Sequence, residues 1–405
     1  MPRMYAAVLI AGAFILGTGM SAYAQKKYGP GVTDTEIKIG QTMPYSGPLT
    51  GLSSVGKVEA AYFEMINAKG GINGRRINLI SLDDGYNPAR TLELTRKLVE
   101  GDEVLAIVSS LGTAPNTAIH RYLNTKGVPQ LFISTGGTKW GDPATFPWTM
   151  GFQPNFQFEG RVYAKYILQQ RPNGRIGIMY ENDDFGKDLV KGLKDGLGDK
   201  AGSMIVKEVS YEVTDPTIDS QVITLAGSGA DVFFDASLPK FAAQAIRKMY
   251  DIGWKPLHVL DNGSASVSVV LKPAGLEKSI GIVSAQFLKD PANPAWKDDA
   301  GYLEWLAFMK QYFPSGDIGD QVNATGYSIA QTFVQVLKLC GDDLTRENLM
   351  RQAANIKDLT LPMLIPGIKV NTSPKDFFPV NQLNIIRFDG TAWVLEGSLI
   401  DNWSR

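Results

Sequence analysis

The sequence predicts an α/β fold of parallel β-sheets covered by helices on both faces, and three observations support this prediction. Short runs such as Ile176 to Tyr180 are apolar at nearly every position, which is typical of strands buried on both faces. Stretches such as Phe241 to Tyr250 place their apolar residues on one side of a helix. The two patterns alternate along the chain, which is the order that parallel α/β sheets require.

The individual elements follow this alternation from the start of the pattern. Ile37 to Gly40 predicts the first strand, and an apolar stripe from Val55 to Ile66 predicts the next helix, which Gly70-Gly71 closes. Further strands are predicted at 77–82, 104–108, 130–133, 176–180, 204–209, 232–234, 257–260, 280–285, 383–388 and 393–395. Residues 302–356 are more helical, and Asp389-Gly390 predicts the turn of a hairpin between the last two strands.

A break in the pattern near Trp148 to Pro154 divides the chain into two α/β units. The first covers about 35–153, and the second, which restarts at Arg161, covers about 154–283. A chain of 405 residues exceeds what one hydrophobic core usually supports, so two domains are expected.

The first 24 residues predict a secretory signal peptide. Arg3 gives a positive start, Ala6 to Leu16 form an apolar core, and Ala22-Tyr23-Ala24 supplies a cleavage site. The apolar run is short for a membrane span. We therefore expect a mature protein from Gln25 that is soluble outside the cytoplasm and not inserted in a membrane.

The composition excludes several classes of function. The net charge is −1 with 20% charged residues, so no basic surface suggests a nucleic-acid partner. Cys340 is the only cysteine, and its place in a helical apolar pattern predicts a buried, inert thiol. His120 and His258 are the only histidines, and we interpret both as structural. No motif for a metal, a cofactor, a phosphate or a nucleophile is present, so no catalytic residue is predicted.

Two loops rich in hydroxyl groups and glycine are the most informative motifs. The first hydroxyl loop, Ser109–Thr113, and the second hydroxyl loop, Ser134–Thr138, each follow a predicted strand. Such loops expose backbone N–H groups, small residues permit close approach, and the hydroxyls add donors. On neighbouring parallel strands they meet where open α/β sheets hold ligands. The pair therefore predicts a site for a small anion, the alternative being ordinary strand-to-helix turns.

Several motifs resemble one family of proteins. They include Glu36 to Gly40, Pro44 to Pro48, and Ile66 to Gly74, whose Asn-Ala-Lys-Gly-Gly-Ile run is the most specific. The match continues through Asp83-Asp84, both hydroxyl loops and Asn182 to Gly186. In these motifs the chain resembles the periplasmic leucine/isoleucine/valine-binding proteins, the solute receptors of ABC importers.

The resemblance implies two Rossmann-like lobes with parallel sheets, joined by a three-strand hinge and closing over a ligand. It implies that lobe 1 holds 35–153 and 286–355, and that lobe 2 holds 154–285 and 356–405. It further implies a periplasmic, monomeric protein that carries a small carboxylate to ABC permease subunits without a cofactor, a metal or catalysis.

The resemblance also implies roles for individual residues. Thr138 would donate its hydroxyl and its N–H to the ligand carboxylate. Gly136 and Gly137 belong to the same loop, Gly136 offering its carbonyl, while Gly112 and Thr113 form the other loop. Phe185 falls where the family often has a tyrosine that closes over the ligand.

The chain departs from the amino-acid receptors of this family in two ways. Those receptors carry a disulfide between the loop after Asp-Asp and the first ligand loop, but neither 84–88 nor 109–113 contains a cysteine here. Their glutamate facing the ligand's ammonium matches Lys240 or Phe241, and neither is acidic. Burying an ammonium without a counter-charge costs several kcal/mol. We therefore predict an aromatic or aliphatic acid without an α-amino group, the alternative being that Asp235 or Asp261 takes an ammonium.

The remaining candidates are residues that can form walls or hydrogen bonds. Tyr45, Phe185 and Phe241 are predicted to supply apolar walls. Ser46, Asn262 and Gln286 are predicted to hydrogen-bond a ligand substituent, because each follows or ends a predicted element near the cleft. Alternative functions are a receptor for branched-chain amino acids or amides, a ligand sensor for a signalling partner, and an exported hydrolase.

Overall fold

The computed structural model describes residues 26–401, so the predicted signal peptide at 1–24 lies outside the described residues. The strands are β1 Lys27–Tyr28, β2 Glu36–Met43, β3 Arg76–Asp83, β4 Ile107–Val108, β5 Gln130–Ile133, β6 Thr149–Gly151, β7 Ile176–Glu181, β8 Ile205–Tyr211, β9 Val232–Ala236, β10 Leu257–Leu260, β11 Val283–Gln286, β12 Asp343–Leu344, β13 Gln382–Phe388 and β14 Trp393–Asp401. The α-helices are α1 Ser54–Ala68, α2 Pro88–Arg96, α3 Thr113–Lys126, α4 Phe156–Gln170, α5 Asp184–Leu197, α6 Ala201–Met204, α7 Asp219–Gly227, α8 Pro239–Asp251, α9 Lys272–Ala274, α10 Ala300–Tyr312, α11 Gln321–Cys340 and α12 Arg346–Ala353. Short 3₁₀ and π segments cover Thr50–Leu52, Lys97–Gly101, Thr138–Gly141, Gly198–Lys200, Asn262–Ser264, Val267–Leu271, Leu276–Lys278 and Pro294–Trp296.

The first sheet has five parallel strands in the order β3-β2-β4-β5-β6. The predicted strand at 104–108 shortens to Ile107–Val108, although Leu105 N–H still donates to Lys38 O at 2.9 Å. Helices α1 and α3 follow β2 and β4, so the carboxyl ends of these strands lie on the edge where the helices begin. Both hydroxyl loops therefore lie at that edge.

The second sheet has seven strands in the order β14-β13-β11-β10-β9-β7-β8. Its strands are parallel except for β13, which runs antiparallel to β11 and β14. The predicted hairpin is confirmed, because Phe388 pairs with Trp393 across the turn at Asp389-Gly390. The predicted α/β class with mainly parallel sheets is thus confirmed.

The predicted break near 148–154 was wrong in one respect. It contains strand β6, Thr149–Gly151, which adds a fifth strand to the first sheet. Helix α4 then begins at Phe156, five positions before the predicted restart at Arg161, because Asn155 caps it by accepting a bond from Phe158 N–H at 2.8 Å. A three-residue strand is too short to show an apolar alternation.

The chain crosses between the two sheets more than once. Helices α10 and α11, which come between strands β11 and β13 of the second sheet, return to the first sheet and pack against α1. Two crossing segments bond to each other, since Lys289 N–H donates to Met363 O at 2.8 Å and Ile365 N–H donates to Phe287 O at 2.9 Å. The lobe boundaries given above stay a prediction.

Three single residues behave as expected from their patterns. Cys340 is buried, and burial raises the pKa of its thiol to about 12. His120 bonds Thr117 O at 2.8 Å through Nδ1, and His258 bonds Asp235 Oδ2 at 3.1 Å through Nε2. Within residues 26–401, no helix combines the length and the apolar character that a bilayer span needs.

Candidate ligand-binding site

A cavity lies between the carboxyl ends of strands from both sheets. The space inside it that the centre of a water-sized sphere can occupy is about 100 Å³. The first sheet contributes Thr113, Ser134 and Thr135, and the second contributes Asp261, Asn262 and Gln286. Apolar walls come from Leu49, Val55, Tyr86, Leu111, Phe156, Phe185, Leu238, Phe287 and Val322.

The first hydroxyl loop faces this cavity. Gly112 and Thr113 line it, and Thr113 begins helix α3, whose first amide groups have no acceptor within the helix. The Thr113 hydroxyl lies 2.6 Å from the hydroxyl of Thr135, and both residues are buried. Asn116 fixes the loop by donating to Ser110 O at 2.9 Å and to Gly112 O at 2.8 Å. Hydroxyl and N–H donors are thus gathered on this wall.

The second hydroxyl loop faces the cavity only in its first half. Ser134 and Thr135 line the cavity, but Gly136, Gly137 and Thr138 do not. The carbonyl of Gly136 already accepts the N–H of Phe156 at 2.8 Å, and the N–H of Thr138 donates to Asp188 Oδ2 at 2.8 Å. Two of the groups that the resemblance assigns to the ligand are therefore engaged by other parts of the protein, whereas the Thr138 hydroxyl is buried without a partner among the described residues.

Gly137 has a packing role in this arrangement. A Cβ atom on it would lie 2.6 Å from Nε1 of Trp140, which is fully buried. Lys139, two residues after Gly137, forms an ion pair with Asp184 at 2.5 Å. Asp184 and Asp188 belong to helix α5 of the second half, so this segment joins the two halves beside the cavity.

Tyr45 and Ser46 lie outside the cavity, contrary to the sequence-based prediction. The hydroxyl of Tyr45 lies 2.7 Å from Ser81 Oγ. Ser46 donates to both oxygens of Asp83, from its N–H at 3.0 Å and from its hydroxyl at 2.7 Å. The turn is therefore held against the end of strand β3 and supports the loop that follows it.

Lys240 and Phe241 also lie outside the cavity. Pro239 begins helix α8, so both residues are already helical. Lys240 is exposed and donates to Asp215 O at 3.1 Å, whereas Phe241 is fully buried, with its ring centroid 4.3 Å from that of Tyr211. The absence of an acid at these two positions consequently says nothing about the cavity wall.

An unpartnered carboxyl group lies on the wall of the second sheet. Asp261 is fully buried, and neither of its side-chain oxygens accepts a hydrogen bond of good geometry within residues 26–401, although the amides of Gly263 and Ser264 lie nearby. Burial raises the pKa of Asp261 well above its ordinary value, and the nearby Glu159 and Asp235 raise it further. The amides of Gly263 and Ser264 oppose this shift but do not cancel it. Burial therefore disfavours the carboxylate form of the free Asp261.

Gln286 adds a further acceptor atom that lacks a hydrogen bond on this wall. Its Oε1 is buried without a donor among the described residues, while its Nε2 lies 3.5 Å from Asn262 O. The acid near Asp261, Asp235, is by contrast satisfied, since it bonds His258 and the hydroxyl of Ser237. The cavity wall thus holds three acceptor atoms that lack donors, two on Asp261 and one on Gln286.

Asn262 and Phe185 line the cavity as predicted positions, each held by its neighbours. The N–H of Asn262 donates to Glu159 Oε1 at 2.7 Å, and its side chain donates to Ala285 O at 2.7 Å. Phe185 lies at the start of helix α5, with its ring centroid 5.1 Å from that of Phe156. Sequence reasoning missed Tyr86, Leu238 and the residues of helix α11, which no local pattern marks.

The charge of the cavity wall is one-sided. Among the described residues that line it there is no lysine, arginine or histidine, and Asp261 is the one carboxyl group. In the part of the chain that the structure describes, no group of three His, Cys, Asp or Glu side chains is placed to hold a metal ion.

Comparison with known proteins identifies the family. A family profile described as "Periplasmic binding protein" matches residues 36–392. The chain belongs to the periplasmic binding protein family. Its members bind small molecules and work with ABC permeases, and the predicted resemblance is confirmed.

Two curated relatives are similar to this periplasmic binding protein over part of their length. An "Amino acid binding protein" of Pseudomonas aeruginosa is 25% identical over 268 residues, 63% of this chain and 68% of the relative. A "Leu/Ile/Val-binding protein homolog 2" of Brucella abortus is 27% identical over 242 residues, 58% of this chain and 63% of the relative. The chain therefore matches somewhat under two thirds of the second relative's length.

Solved structures share the fold over nearly the whole chain. A branched-chain amino acid ABC transporter protein from Thermus thermophilus with bound valine has a TM-score of 0.82 at 14% identity, covering 91% of this chain and 97% of that one. A fatty acid ABC transporter substrate-binding protein from Thermomonospora curvata has a TM-score of 0.76 at 22% identity, covering 93% and 95%. The two-lobed periplasmic-binding fold predicted from the sequence is thereby confirmed.

Proposed function

We propose that this periplasmic binding protein is the solute receptor of an ABC importer, and that it binds a small apolar amino acid in the cavity. The single observation that carries the ligand class is the set of three buried acceptors without donors, on Asp261 and Gln286. An ammonium group has three N–H donors and a positive charge, so it complements this wall. We further propose export through the signal peptide predicted at 1–24 and action as a monomer on the permease subunits.

The opposite wall suits the carboxylate of the same molecule. The hydroxyls of Thr113 and Thr135 and the free first amides of helix α3 are donors, and the positive end of the helix favours negative charge. Between the two walls, apolar side chains such as Val55, Leu111 and Phe185 surround the middle of the cavity. A zwitterion with an apolar side chain matches all three parts.

The prediction of an acid without an amino group has weaker support than the proposal of an amino acid. It rested on Lys240 and Phe241, which lie outside the cavity. A wall without Lys, Arg or His offers a lone carboxylate no counter-charge, although a protonated Asp261 could donate one hydrogen bond to it. The relative from Pseudomonas aeruginosa and the valine-bound neighbour support the amino acid, whereas the fatty-acid neighbour supports the acid.

The experiment is calorimetric titration of the wild-type protein with leucine, valine, benzoate, a hydroxycinnamate and a medium-chain fatty acid. We expect the amino acids to bind and the acids to give no heat. Asp261→Asn should weaken amino-acid binding by at least about 100-fold, because it removes one partner of a buried ion pair worth about 3 kcal/mol. Tight binding of an acid with silent amino acids would overturn the ligand class.

The direction in which affinity changes with pH tests the role of Asp261 independently. Burial raises the pKa of the free Asp261 carboxyl, but an ammonium requires the carboxylate, so binding favours release of a proton. The affinity for an amino acid should therefore rise as the pH rises towards the pKa of the free carboxyl, by up to about tenfold per pH unit. A carboxylate solute that accepts a hydrogen bond from the protonated Asp261 would show the opposite sign.

A matched control separates the site from general effects of substitution. Lys240→Ala changes a residue that the sequence placed in the site but that is exposed outside the cavity. We expect its affinity for leucine to equal that of the wild type. Retention of full leucine affinity in Asp261→Asn would show that the ammonium is held elsewhere.

A further inference from the structure

Tyr86 occupies an unusual place in the loop after strand β3. Its φ is +59°, a left-handed conformation that a bulky side chain rarely adopts. Its N–H donates to Asp84 Oδ1 at 2.9 Å, and Gly85 N–H donates to Asp83 Oδ1 at 3.0 Å. Ser46 holds the other side of Asp83. The surrounding bonds therefore fix a backbone conformation that would otherwise be unfavourable.

The ring of Tyr86 covers the first hydroxyl loop. A Cβ atom on Gly112 would lie 2.3 Å from Cε2 of Tyr86, so only glycine leaves room for the ring. Gly112 also has a φ of +97°, which glycine adopts without strain. The ring is only 5% exposed, and it lines the cavity next to Gly112 and Thr113. Ring and loop thus form one continuous surface beside the donors that face the ligand.

The ring also approaches the second half of the molecule. Burial raises the pKa of the Tyr86 hydroxyl well above its usual range, and Glu181 and Asp183, at the end of strand β7, raise it further by repelling a phenolate. Tyr86 therefore stays neutral, packs against the first hydroxyl loop and lines the same cavity as Asp261 and Asn262 of the second sheet. A rigid aromatic group in that position limits the length of a solute that both halves enclose.

We propose that Tyr86 is a specificity-determining residue, whose ring sets the size of the side chain that the cavity accepts. This inference rests on the proposed function, because it assumes that the solute binds against the first hydroxyl loop. Strain in the backbone and the glycine opposite the ring are both consistent with a side chain that is held in one place for this purpose.

The test compares the affinities of alanine, valine, leucine and phenylalanine in the wild type and in Tyr86→Ala. Removing the ring should raise the affinity for phenylalanine relative to valine by about tenfold or more, since each methylene group in an apolar pocket changes affinity by about 10-fold or more. Tyr86→Phe should keep the wild-type ratio. Gly112→Ala should shift the ratio towards the smaller solutes, because the new Cβ pushes the ring into the cavity.

Tyr45→Ala is the matched control, because it removes a tyrosine ring that lies outside the cavity. It should leave the ratio unchanged, and melting curves should show which variants are folded. If Tyr86→Ala does not fold, the same affinity ratio is measured in Tyr86→Leu and in Gly112→Ala. The first should shift it towards phenylalanine and the second towards the smaller solutes. An equal loss for all solutes, or an unchanged ratio, would overturn the role of Tyr86 and leave the proposed function standing.

The two proposals can fail separately. If the wild type binds no amino acid but binds an acid, the proposed ligand class is wrong. The size test is then made with benzoate, a hydroxycinnamate and a medium-chain fatty acid. A ratio that shifts towards the larger acid in Tyr86→Ala would still support the inference, and an unchanged ratio would reject it.

Discussion

The first and second hydroxyl loops both follow buried strands of the first sheet, β4 and β5, and apart from Leu111 in the first both consist of Ser, Thr and Gly. The first faces the cavity through Gly112 and Thr113. The second does so only through Ser134 and Thr135, and its Thr138 instead binds Asp188 of the other half. The same residue types can therefore serve a ligand or a contact between lobes. The next segment of chain decides which.

The segments after the two loops differ in kind. After the first loop, the chain enters helix α3 at once, so the free amides of the helix stay at the cavity. After the second, it makes a single turn at Thr138–Gly141 and then forms strand β6. Trp140 of this turn is buried, and the N–H of Thr138 donates to Asp188 of helix α5. The backbone groups of the turn therefore point away from the cavity.

The largest effect that separates the loops is expected for Thr113→Val. Valine keeps the shape of threonine but removes the hydroxyl, and it also leaves the hydroxyl of Thr135 without its partner at 2.6 Å. A hydrogen bond to a charged group is worth about 1.5–3 kcal/mol, so the affinity for the solute should fall by about 10- to 150-fold. Calorimetric titration measures this fall in affinity. A wild-type affinity would remove the first loop from the site.

A smaller effect is expected for Asp188→Ala, which tests the second loop as a contact between the halves. The substitution releases Thr138 N–H and Gln157, whose side chain bonds Asp188 at 2.9 Å. The contact between the two halves should lose about 1–2 kcal/mol of stability. The solute should then dissociate about tenfold faster, as stopped-flow fluorescence can measure.

Asp195→Ala is the control for this prediction, because Asp195 lies on the same helix and pairs with Lys191 within it. Its dissociation rate should match the wild type. The neighbouring ion pair of Lys139 and Asp184 is partly exposed, so Lys139→Ala should have a weaker effect that salt suppresses. Equal rates in Asp188→Ala and Asp195→Ala would argue against a contact that holds the halves together.

Part of this site was predictable because the α/β alternation fixes where strands end. Gly112, Asn262 and Gln286 each follow or end a strand, so the pattern alone brings Gly112 to the carboxyl edge of the first sheet and the other two residues to that of the second. Phe185 is similar, since Asp183 caps helix α5 directly before it. The fold class followed from the same alternation, although the strand of three residues at β6 did not show in it.

The rest could not be predicted, because it depends on which partner satisfies each group. Asp235 lies in β9 and Asp261 directly follows the neighbouring β10, and only the structure distinguishes the one bonded to His258 from the one without a hydrogen bond of good geometry. The direction of the Tyr86 ring depends on a positive φ, and Val322 reaches the cavity from helix α11, far along the chain. No pattern of nearby residues carries this information.

The smallest effect is expected for Thr138→Val, and it makes the comparison between the loops sharpest. The resemblance implies that the Thr138 hydroxyl binds the solute, but its oxygen is shielded from solvent, has no partner among the described residues and does not line the cavity. Its N–H, which binds Asp188, is unchanged by the substitution. Affinity should therefore stay within about twofold of the wild type, and the melting temperature should stay equal or rise slightly, because an unpaired buried hydroxyl is replaced by a methyl group. A tenfold loss in calorimetry would return this hydroxyl to the solute, and would mean that the second hydroxyl loop turns towards the cavity when the solute binds.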